Sequence, residues 1–443
     1  MSLNLHLPAH GRGRGLAPGL RELLRQRPAS WDLPELPDIG GPLVGEGAVA
    51  DSQRACARLL GATHCWFGVN GASGLLQAAL LALAPPGSRV LLPRNLHRSL
   101  LHACVLGQLE PLLFALPFDR TTGLWLPPSP EHLARVIAAG QAGGPVAAVA
   151  LVSPTYQGLV ADLPGLAAVV HQAGLPLFVD GAHGQGAGMA AGADLEVLSL
   201  QKSAGGLAQS AALLAQGPRL SIAALERALL WLQTSSPSAL LLASCEAAIT
   251  ALGSPEGARQ RARATAVATR VQQRCRALGL PLVSSDDPLR LVLHTARLGI
   301  NGLEADSWLL ARGVIGELPE PATLTFCLGL RPPRGVTWRL PRRLAQLRSA
   351  LAGPRLPPQE PPPLPLVAEL VQPIGQAWRG PHHSLPLAAA AGAIAAEPLC
   401  PYPPGIPLLV PGERIDAARA GWLQRQCQLW PGQIADTVRV VAD

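Results

Sequence analysis

The chain has a single lysine, Lys202, and the other 35 of its 36 lysine and arginine residues are arginine. Together with abundant Ala, Gly, Pro and Leu, this bias indicates GC-rich codon usage, under which arginine replaces lysine wherever a positive charge is enough. An arginine guanidinium stays protonated, whereas a lysine amine can lose its proton and form a Schiff base with an aldehyde. Lys202 is therefore a candidate for covalent chemistry, the alternative being survival by chance.

An aspartate, Asp180, lies twenty-two residues before this lysine, at the end of a separate apolar run. Residues 176–180 and 195–199 are both strand candidates, and side chains at the ends of parallel strands converge on one crevice. A carboxylate that keeps a pyridine nitrogen protonated and an amine that holds an aldehyde are what pyridoxal 5'-phosphate (PLP) requires. The pair predicts a PLP site, although Asp180 alone could equally be a helix N-cap.

A glycine-rich turn follows the first strand candidate and precedes a helix. Gly71, Ala72 and Ser73 lie in this turn. Backbone N–H groups at a helix N-terminus favour a phosphate, so these residues are candidates for the cofactor phosphate, with Ser199 as a second contact. An ordinary turn is the alternative, because such a motif by itself is weak.

These residues need a scaffold, and the hydrophobic pattern predicts one. Strand candidates at residues 65–69, 89–93, 147–152, 176–180 and 195–199 alternate with helix candidates such as 74–83 and 163–172. This βαβ pattern predicts an α/β fold with a mainly parallel central sheet. We expect a large domain at 1–244 with an N-terminal arm, a small α+β domain at 245–352 with an Arg-rich helix at 257–278, a proline-rich linker at 353–365 and a C-terminal domain at 366–443.

The composition argues against several other functions. Apolar runs are broken within a dozen residues by Pro, Gly or charge, so we expect no membrane span. No secretory signal is recognisable at the N-terminus, so we expect a cytoplasmic protein. The net charge of +7 is dispersed, which predicts no nucleic-acid partner. The eight cysteines form no CxxC pair, so we expect buried free thiols and no metal site.

Taken in order, several segments resemble the Orn/Lys/Arg decarboxylase family, the bacterial basic-amino-acid decarboxylases of PLP fold type I. The segments are residues 70–73 (NGAS), 93–99 (PRNLHRS), 153–158 (SPTYQG), 180–184 (DGAHG), 233–238 (QTSSPS), 402–407 (YPPGIP) and 411–413 (PGE). The resemblance covers nearly the whole chain. It implies PLP fold type I for the large domain, with smaller α+β parts toward the C-terminus.

The resemblance also implies roles for individual residues. Lys202 would hold PLP covalently, Asp180 would pair with the ring nitrogen, and His183 would line the pocket. His97 would stack on the ring, unless it is only a surface residue in the first turn of a helix. Ser73 and Ser199 would bind the phosphate. Weaker expectations concern Thr155 and Tyr156, which could instead form a β-turn, and Ser235 and Ser236, which would reach the phosphate of a partner subunit in a homodimer or higher homo-oligomer.

Three departures from the family pattern stand out. The family usually has Asp-Glu-Ala-His-Gly, but Gly181 replaces the glutamate, and it usually has histidine before the lysine, where this chain has Gln201. An amide cannot titrate as an imidazole does, so acid–base steps could differ. The family's Pro-Gly-His-Lys segment near the N-terminus corresponds only loosely to residues 8–12 (PAHGR).

The resemblance implies PLP-dependent decarboxylation of a small-molecule substrate, the amino acid arginine, lysine or ornithine, to its amine and CO2. Two alternatives stay open: another PLP reaction, such as transamination or elimination, and a catalytically weak PLP-binding regulatory paralogue. A basic substrate needs an acidic residue for its distal charge, and Glu35, Asp38, Glu46 or a partner chain could supply one.

Overall fold

A computed structural model describes residues 2–11, 13–27, 30–34, 36–400, 405–430 and 434–442 of the 443-residue chain. The strands are β1 (Leu3–Asn4), β2 (His64–Gly68), β3 (Arg89–Pro93), β4 (Glu110–Phe114), β5 (Phe118–Asp119), β6 (Leu124–Trp125), β7 (Val146–Val152), β8 (Leu177–Asp180), β9 (Leu195–Ser199), β10 (Ala211–Ala215), β11 (Leu282–Val283), β12 (Arg290–Leu293), β13 (Val314–Ile315), β14 (Leu318–Pro319), β15 (Leu324–Cys327), β16 (Val367–Ala368), β17 (His382–Pro386) and β18 (Thr437–Val441).

The helices follow the same chain order. They are α1 (Pro18–Leu23), α2 (Ala48–Leu59), α3 (Gly71–Leu83), α4 (Arg98–Gly107), α5 (Pro130–Ala142), α6 (Leu163–Gln172), α7 (Ala187–Ala190), α8 (Leu200–Ser203), α9 (Ile222–Leu232), α10 (Ala239–Gly253), α11 (Pro255–Ala277), α12 (Gly302–Leu310), α13 (Val336–Leu351), α14 (Ile374–Arg379) and α15 (Ala417–Leu429). Short 3₁₀ turns cover Thr295–Leu298 and Leu387–Ala389.

The central sheet has eight strands in the order β16-β4-β3-β7-β8-β9-β10-β2. Strands β4, β3, β7, β8 and β9 are parallel to one another. Because β10 is antiparallel to both β9 and β2, β2 points the same way as β9. Six strands therefore end at one edge of the sheet, which confirms the prediction of a mainly parallel sheet.

The strands of this sheet are mostly apolar because both faces of the sheet are covered by helices, and their few charged residues, such as Arg89, Glu110 and Asp180, lie mainly at strand ends. In β8, Leu177 and Val179 belong to a core with helices α2, α5, α6 and α10, whereas Phe178 belongs to a core with α3, α4 and α9. Full burial of such side chains contributes roughly 1.5–3 kcal/mol each. Helix α3 begins three residues before its predicted start, and α6 has the predicted bounds.

A second, antiparallel sheet has the order β11-β12-β15-β14. Helices α11 and α13 pack on it through a separate core, which also takes up Leu3 and Leu5 from the N-terminal arm. Strand β1 of that arm pairs with β13. Helix α11 begins at Pro255 because the Ser254 hydroxyl accepts a hydrogen bond from the Gly257 N–H, which caps the helix two residues before the predicted start.

The proline-rich segment at 353–365 forms neither helix nor strand. It leads to a C-terminal unit with the β17–β18 hairpin, helix α15 and its own core around Leu409, Ile415 and Leu423. The predicted domain boundaries stay predictions, and helix α10 runs through the one at residue 245.

None of the helices in the described ranges is long and apolar enough to cross a membrane. All eight cysteines are free thiols, but only six are buried, since Cys400 and Cys427 are half-buried. The cytoplasmic location stays a prediction.

Candidate active site

Five of the sequence motifs lie at the same edge of the central sheet, because each follows a strand that runs in the shared direction. Strand β2 leads to Gly71, β3 to Arg94 and His97, and β7 to the turn at 153–158. Strand β8 ends at Asp180, and β9 leads directly to α8 and Lys202. The strand directions thus bring the chemistry-bearing segments to one crevice.

Lys202 is half-buried in the short helix α8, and its surroundings disfavour a charged amine. Burial lowers the pKa of Lys202, and the positive charge of Arg290 lowers it further, whereas Asp180 and Glu317 oppose this effect. The Lys202 Nζ lies 5.3 Å from the centre of the Tyr156 ring. A larger neutral fraction of the amine favours nucleophilic attack on an aldehyde.

Asp180 is almost completely buried at the end of β8. Its Oδ1 accepts a hydrogen bond of 3.1 Å from the Ala182 N–H. Burial raises the pKa of Asp180, while that hydrogen bond and the charge of Lys202 lower it. A positively charged partner would therefore stabilise the ionised form of Asp180, because a buried charge is stable only when it is paired.

His183 lies directly beside Lys202. Its Nε2 is 3.1 Å from Lys202 Nζ, and its Nδ1 is 3.5 Å from Arg290 Nη2. Burial lowers the pKa of His183 well below its usual range, and the charges of Lys202 and Arg290 lower it further. A guanidinium only donates, so Nδ1 is the acceptor and the neutral ring carries its proton on Nε2. That N–H can donate a hydrogen bond to Lys202 Nζ only when the amine is neutral, because an ammonium group has no lone pair to accept it.

His97 is the N-cap of α4, so it precedes the first helical turn instead of lying in it. Its Nδ1 accepts a hydrogen bond from the Ser99 N–H and lies 2.8 Å from the Ser99 hydroxyl. Although the side chain is exposed, restricted hydration and then the charge of Lys202 lower the pKa of His97 to about 4. The ring is therefore neutral near pH 7 and adds no positive charge beside Lys202.

Gly71, Ala72 and Ser73 form the first turn of α3. The Gly71 N–H donates to Gln209 O, and Ser73 is exposed. The first-turn N–H groups of Ala72 and Ser73 have no partner within the helix, which leaves them open to an anion. Ser199 is buried at the end of β9. These four residues share the site's edge, but their side chains make no hydrogen bond with Lys202 in the described structure.

The second sheet contributes residues that the sequence did not single out. A cavity of about 240 Å³ is lined by Lys202 and His183 from one side and by Arg290, Asp287 and Cys327 from the other. Arg290 is buried, its Nη1 donates to Cys327 Sγ, and its Nε lies 3.4 Å from Asp287 Oδ2. In a chain with 35 arginines, only the position of Arg290 at the start of an apolar strand could have indicated it.

The weaker expectations have mixed outcomes. The Tyr156 ring centre lies 4.0 Å from that of His183, so Tyr156 borders the site. Thr155 instead closes the turn at 153–158, where its Oγ1 accepts from Leu159 N. His10 of the N-terminal segment lines the cavity.

Some predicted residues lie elsewhere. Ser235 and Ser236 are exposed, as are Asp38 and Glu46, which do not line the cavity. Arg12, Glu35 and residues 402–404 lie outside the described residues.

Gly181 is explained by its neighbour on the next strand. A Cβ atom at residue 181 would lie 2.6 Å from Oε1 and 3.0 Å from Cγ of Glu196. Glu196 is buried in β9, and its Oε2 accepts from the Met189 N–H. Burial raises the pKa of Glu196 to about 7. The carboxyl of Glu196 thus fills the space beside residue 181, where the resembling family usually has a glutamate.

Comparisons with known proteins agree with these motifs. The family model described as Orn/Lys/Arg decarboxylase, major domain, matches residues 4–280. The model of the C-terminal domain of the same family matches residues 369–429. Together the two models cover most of the chain.

Individual relatives are similar over most of their length. Arginine decarboxylase of Bacillus subtilis is 27% identical and covers 93% of this chain and 88% of the relative. The solved structure of lysine decarboxylase A from Pseudomonas aeruginosa has a TM-score of 0.79 at 17% identity, covering 97% of this chain and 81% of the other. Serine palmitoyltransferase of Sphingomonas wittichii has a TM-score of 0.62 at 18% identity over 79% of this chain and 88% of the other. The fold is PLP fold type I.

The contact between Gly181 and Glu196 predicts that Gly181→Ala lowers the free energy of unfolding by about 1–3 kcal/mol, because the added methyl group overpacks a buried site. Chemical denaturation measures this change. The matched control is Gly45→Ala, since nothing lies within 4 Å of a Cβ at Gly45. Shortening the neighbour in a Gly181→Ala/Glu196→Asp variant should recover part of the loss. Equal losses in the single and double variants would contradict the assignment.

The raised pKa of Glu196 predicts a pH dependence of stability. The folded chain keeps a proton on Glu196 up to a pKa of about 7, whereas the unfolded chain releases it near 4.5. This contribution is fully present below pH 4.5 and is lost as the pH rises through 7, to a total of about 3 kcal/mol. Glu196→Gln should therefore match the unsubstituted protein at pH 4.5 and exceed its stability at pH 8. Parallel stability curves between those limits would refute it, and Glu397→Gln, at an exposed carboxyl, is the control.

Proposed function

Because the chain belongs to the Orn/Lys/Arg decarboxylase family, we propose that it decarboxylates a basic amino acid to the corresponding amine and CO2, with PLP as its cofactor. The observation that carries the proposal is the convergence of Lys202, Asp180 and His183 at the carboxyl ends of neighbouring parallel strands. Four curated relatives named arginine decarboxylase are 25–27% identical over 93–96% of the chain. Arginine is accordingly the proposed substrate.

The residues of this chain fit the cofactor. The site offers an amine whose pKa is lowered by burial, a buried carboxylate on the adjacent strand, and open N–H groups at the start of a 13-residue helix. Lys202 would hold the PLP aldehyde, Asp180 would pair with the ring nitrogen, and His97 would cover one face of the ring. Gly71, Ala72, Ser73 and Ser199 would receive the phosphate.

When bound, PLP supplies an electron-withdrawing ring that takes up the electron pair left behind as the carboxylate departs as CO2. Arg290 supplies the planar pair of donors that binds a carboxylate best, and we assign it to the α-carboxylate of the substrate. Its position on β12, opposite Lys202 across the cavity, would orient that group relative to the amine. This positioning selects which bond at the α-carbon breaks.

Loss of CO2 requires one proton at the α-carbon. Lys202 Nζ would deliver this proton, and water in the cavity would return a proton to the amine. The neutral ring of His183, whose Nε2 lies 3.1 Å from Lys202 Nζ, would hold the amine in place during this exchange. Gln201, which cannot titrate, takes no part in this exchange.

A homodimer is part of the proposal. Leu230 and Trp231 on α9 are 67% and 68% exposed, and they lie one residue before the segment at 233–238 with Ser235 and Ser236. Large exposed apolar side chains beside a functional segment are typical of an interface between subunits. Sedimentation velocity measures the mass in solution.

The cofactor assignment predicts that the protein, loaded with PLP, shows a visible absorption band that is lost in Lys202→Ala. The band should be equally lost in Lys202→Arg, because a guanidinium keeps the charge but provides no neutral amine. Arginine, lysine and ornithine are then added in turn, with amine and CO2 as readouts. A band that persists in Lys202→Arg would exclude covalent attachment at this residue.

The same assay separates the alternatives. Formation of a keto acid would indicate an aminotransferase. Binding of PLP with no product from any amino acid would indicate a regulatory paralogue.

The assignment of Arg290 predicts a loss of kcat/KM of about 10- to 100-fold in Arg290→Met, corresponding to one charge-assisted hydrogen-bonded contact. The kcat/KM of Arg290→Lys should lie between that of Arg290→Met and that of the unsubstituted protein, because lysine keeps the positive charge but lacks the planar pair of donors. Both variants should retain the lysine-dependent absorption band. Arg297→Met, at an exposed arginine close in sequence, is the control. Unchanged kcat/KM in Arg290→Met would show that Arg290 does not bind the α-carboxylate of the substrate.

A further inference from the structure

The C-terminal unit reaches the cofactor edge through one fully buried ion pair. Arg94, which follows β3, is 0% exposed, and Glu413 of the C-terminal unit is 1% exposed. Arg94 Nη1 lies 3.0 Å from Glu413 Oε2, and Arg94 Nη2 contacts Glu413 Oε1. The two residues are 319 positions apart in the chain. The contact is bidentate, which fixes the orientation of the guanidinium as well as its position.

Further contacts hold both partners of the pair. Glu413 Oε2 accepts from the Val410 N–H at 2.9 Å, and Glu413 Oε1 accepts from Arg419 Nη1 at 3.1 Å. Arg94 Nη1 also donates to Leu408 O at 3.4 Å. The Arg94 N–H donates to Phe114 O at the end of β4. Arg94 is thereby tied to the sheet by its backbone and to the C-terminal unit by its side chain.

The segment that Arg94 holds leads directly into the site. His97 lies three residues later and caps α4, and the charge of Lys202 reaches its ring. We propose that Glu413 is a positioning residue for the cofactor site, which fixes the segment 94–97 through Arg94 and so sets where the His97 ring lies. This inference rests on the proposed function in that His97 faces PLP.

An ion pair is a costly way to join two units if stability alone is needed. Removing one partner of a buried pair is strongly destabilising, whereas replacing both by apolar residues of similar size is often neutral or stabilising. We therefore assign the pair to orienting the segment 94–97 more than to stabilising the contact between the two units. Experiments can separate these two roles. Arg94→Met/Glu413→Leu removes the pair and keeps the volume, while Arg419 retains its contact of 2.6 Å with Asp416.

The test compares this double variant and Glu413→Gln with the unsubstituted protein. Three quantities are measured: the melting temperature, the dissociation constant of PLP from the lysine-dependent absorption band, and hydrogen–deuterium exchange over residues 94–100 without cofactor. We expect a modestly lower melting temperature in the double variant, because the Val410 N–H and Arg419 Nη1 lose Glu413 as their acceptor. In both variants we expect about ten-fold weaker PLP binding and faster exchange at 94–100. Glu397→Gln is the control, because Glu397 makes an exposed ion pair with Arg439 in the same unit.

Unchanged PLP binding and unchanged exchange in both variants would overturn the inference. If the double variant does not fold, Glu413→Gln decides by the same two measurements. Failure of the proposed function gives a different result: the unsubstituted protein then shows no lysine-dependent band, and the exchange measurement alone decides whether Glu413 orders the segment.

Discussion

A parallel sheet covered by helices on both faces leaves its edges as the places where polar side chains can meet a ligand. In this chain β2, β3, β7, β8 and β9 end at the same edge, although β2 is separated from the others by the antiparallel β10. Because β10 is antiparallel to both of its neighbours, β2 runs in the same direction as β9. The first turn of α3, which follows β2, therefore lies at the same edge as Lys202. Without that common direction, the candidate phosphate site and the amine would face opposite ends of the sheet.

The second constraint is electrostatic. Lys202, His183 and Arg290 bring several cationic or potentially cationic groups into one buried region, and their mutual repulsion adds to the penalty of burial. The site meets this penalty by keeping His183 and His97 neutral and by lowering the pKa of Lys202. Arg290 stays charged beside Asp287. One fixed cation and one titratable amine are what a carboxylate substrate and an aldehyde cofactor respectively require.

Local patterns predict much of this arrangement. The apolar runs at 89–93 and 195–199 have the bounds of the observed strands, and the rule that sites gather at strand ends is enough to pair Asp180 with Lys202. Contacts between distant segments could not be predicted in this way. Arg94 and Glu413 pair across most of the chain, and Arg290 enters from the second sheet. The contact of Gly181 with Glu196 depends on the register between β8 and β9, which no local pattern specifies.

Two departures from the family pattern, Gly181 and Gln201, lie beside the proposed cofactor site. Gly181 does not leave a gap, because the carboxyl of Glu196 occupies the adjoining space from the neighbouring strand. Gln201 does not leave Lys202 without an imidazole, because His183 Nε2 is 3.1 Å from the amine. Each departure therefore removes one side chain, but a group of the same chemical type remains beside the site: the carboxyl of Glu196 and the imidazole of His183. The edge of the sheet that holds Lys202 therefore still has a buried carboxyl beside residue 181 and an imidazole beside the amine, despite both departures.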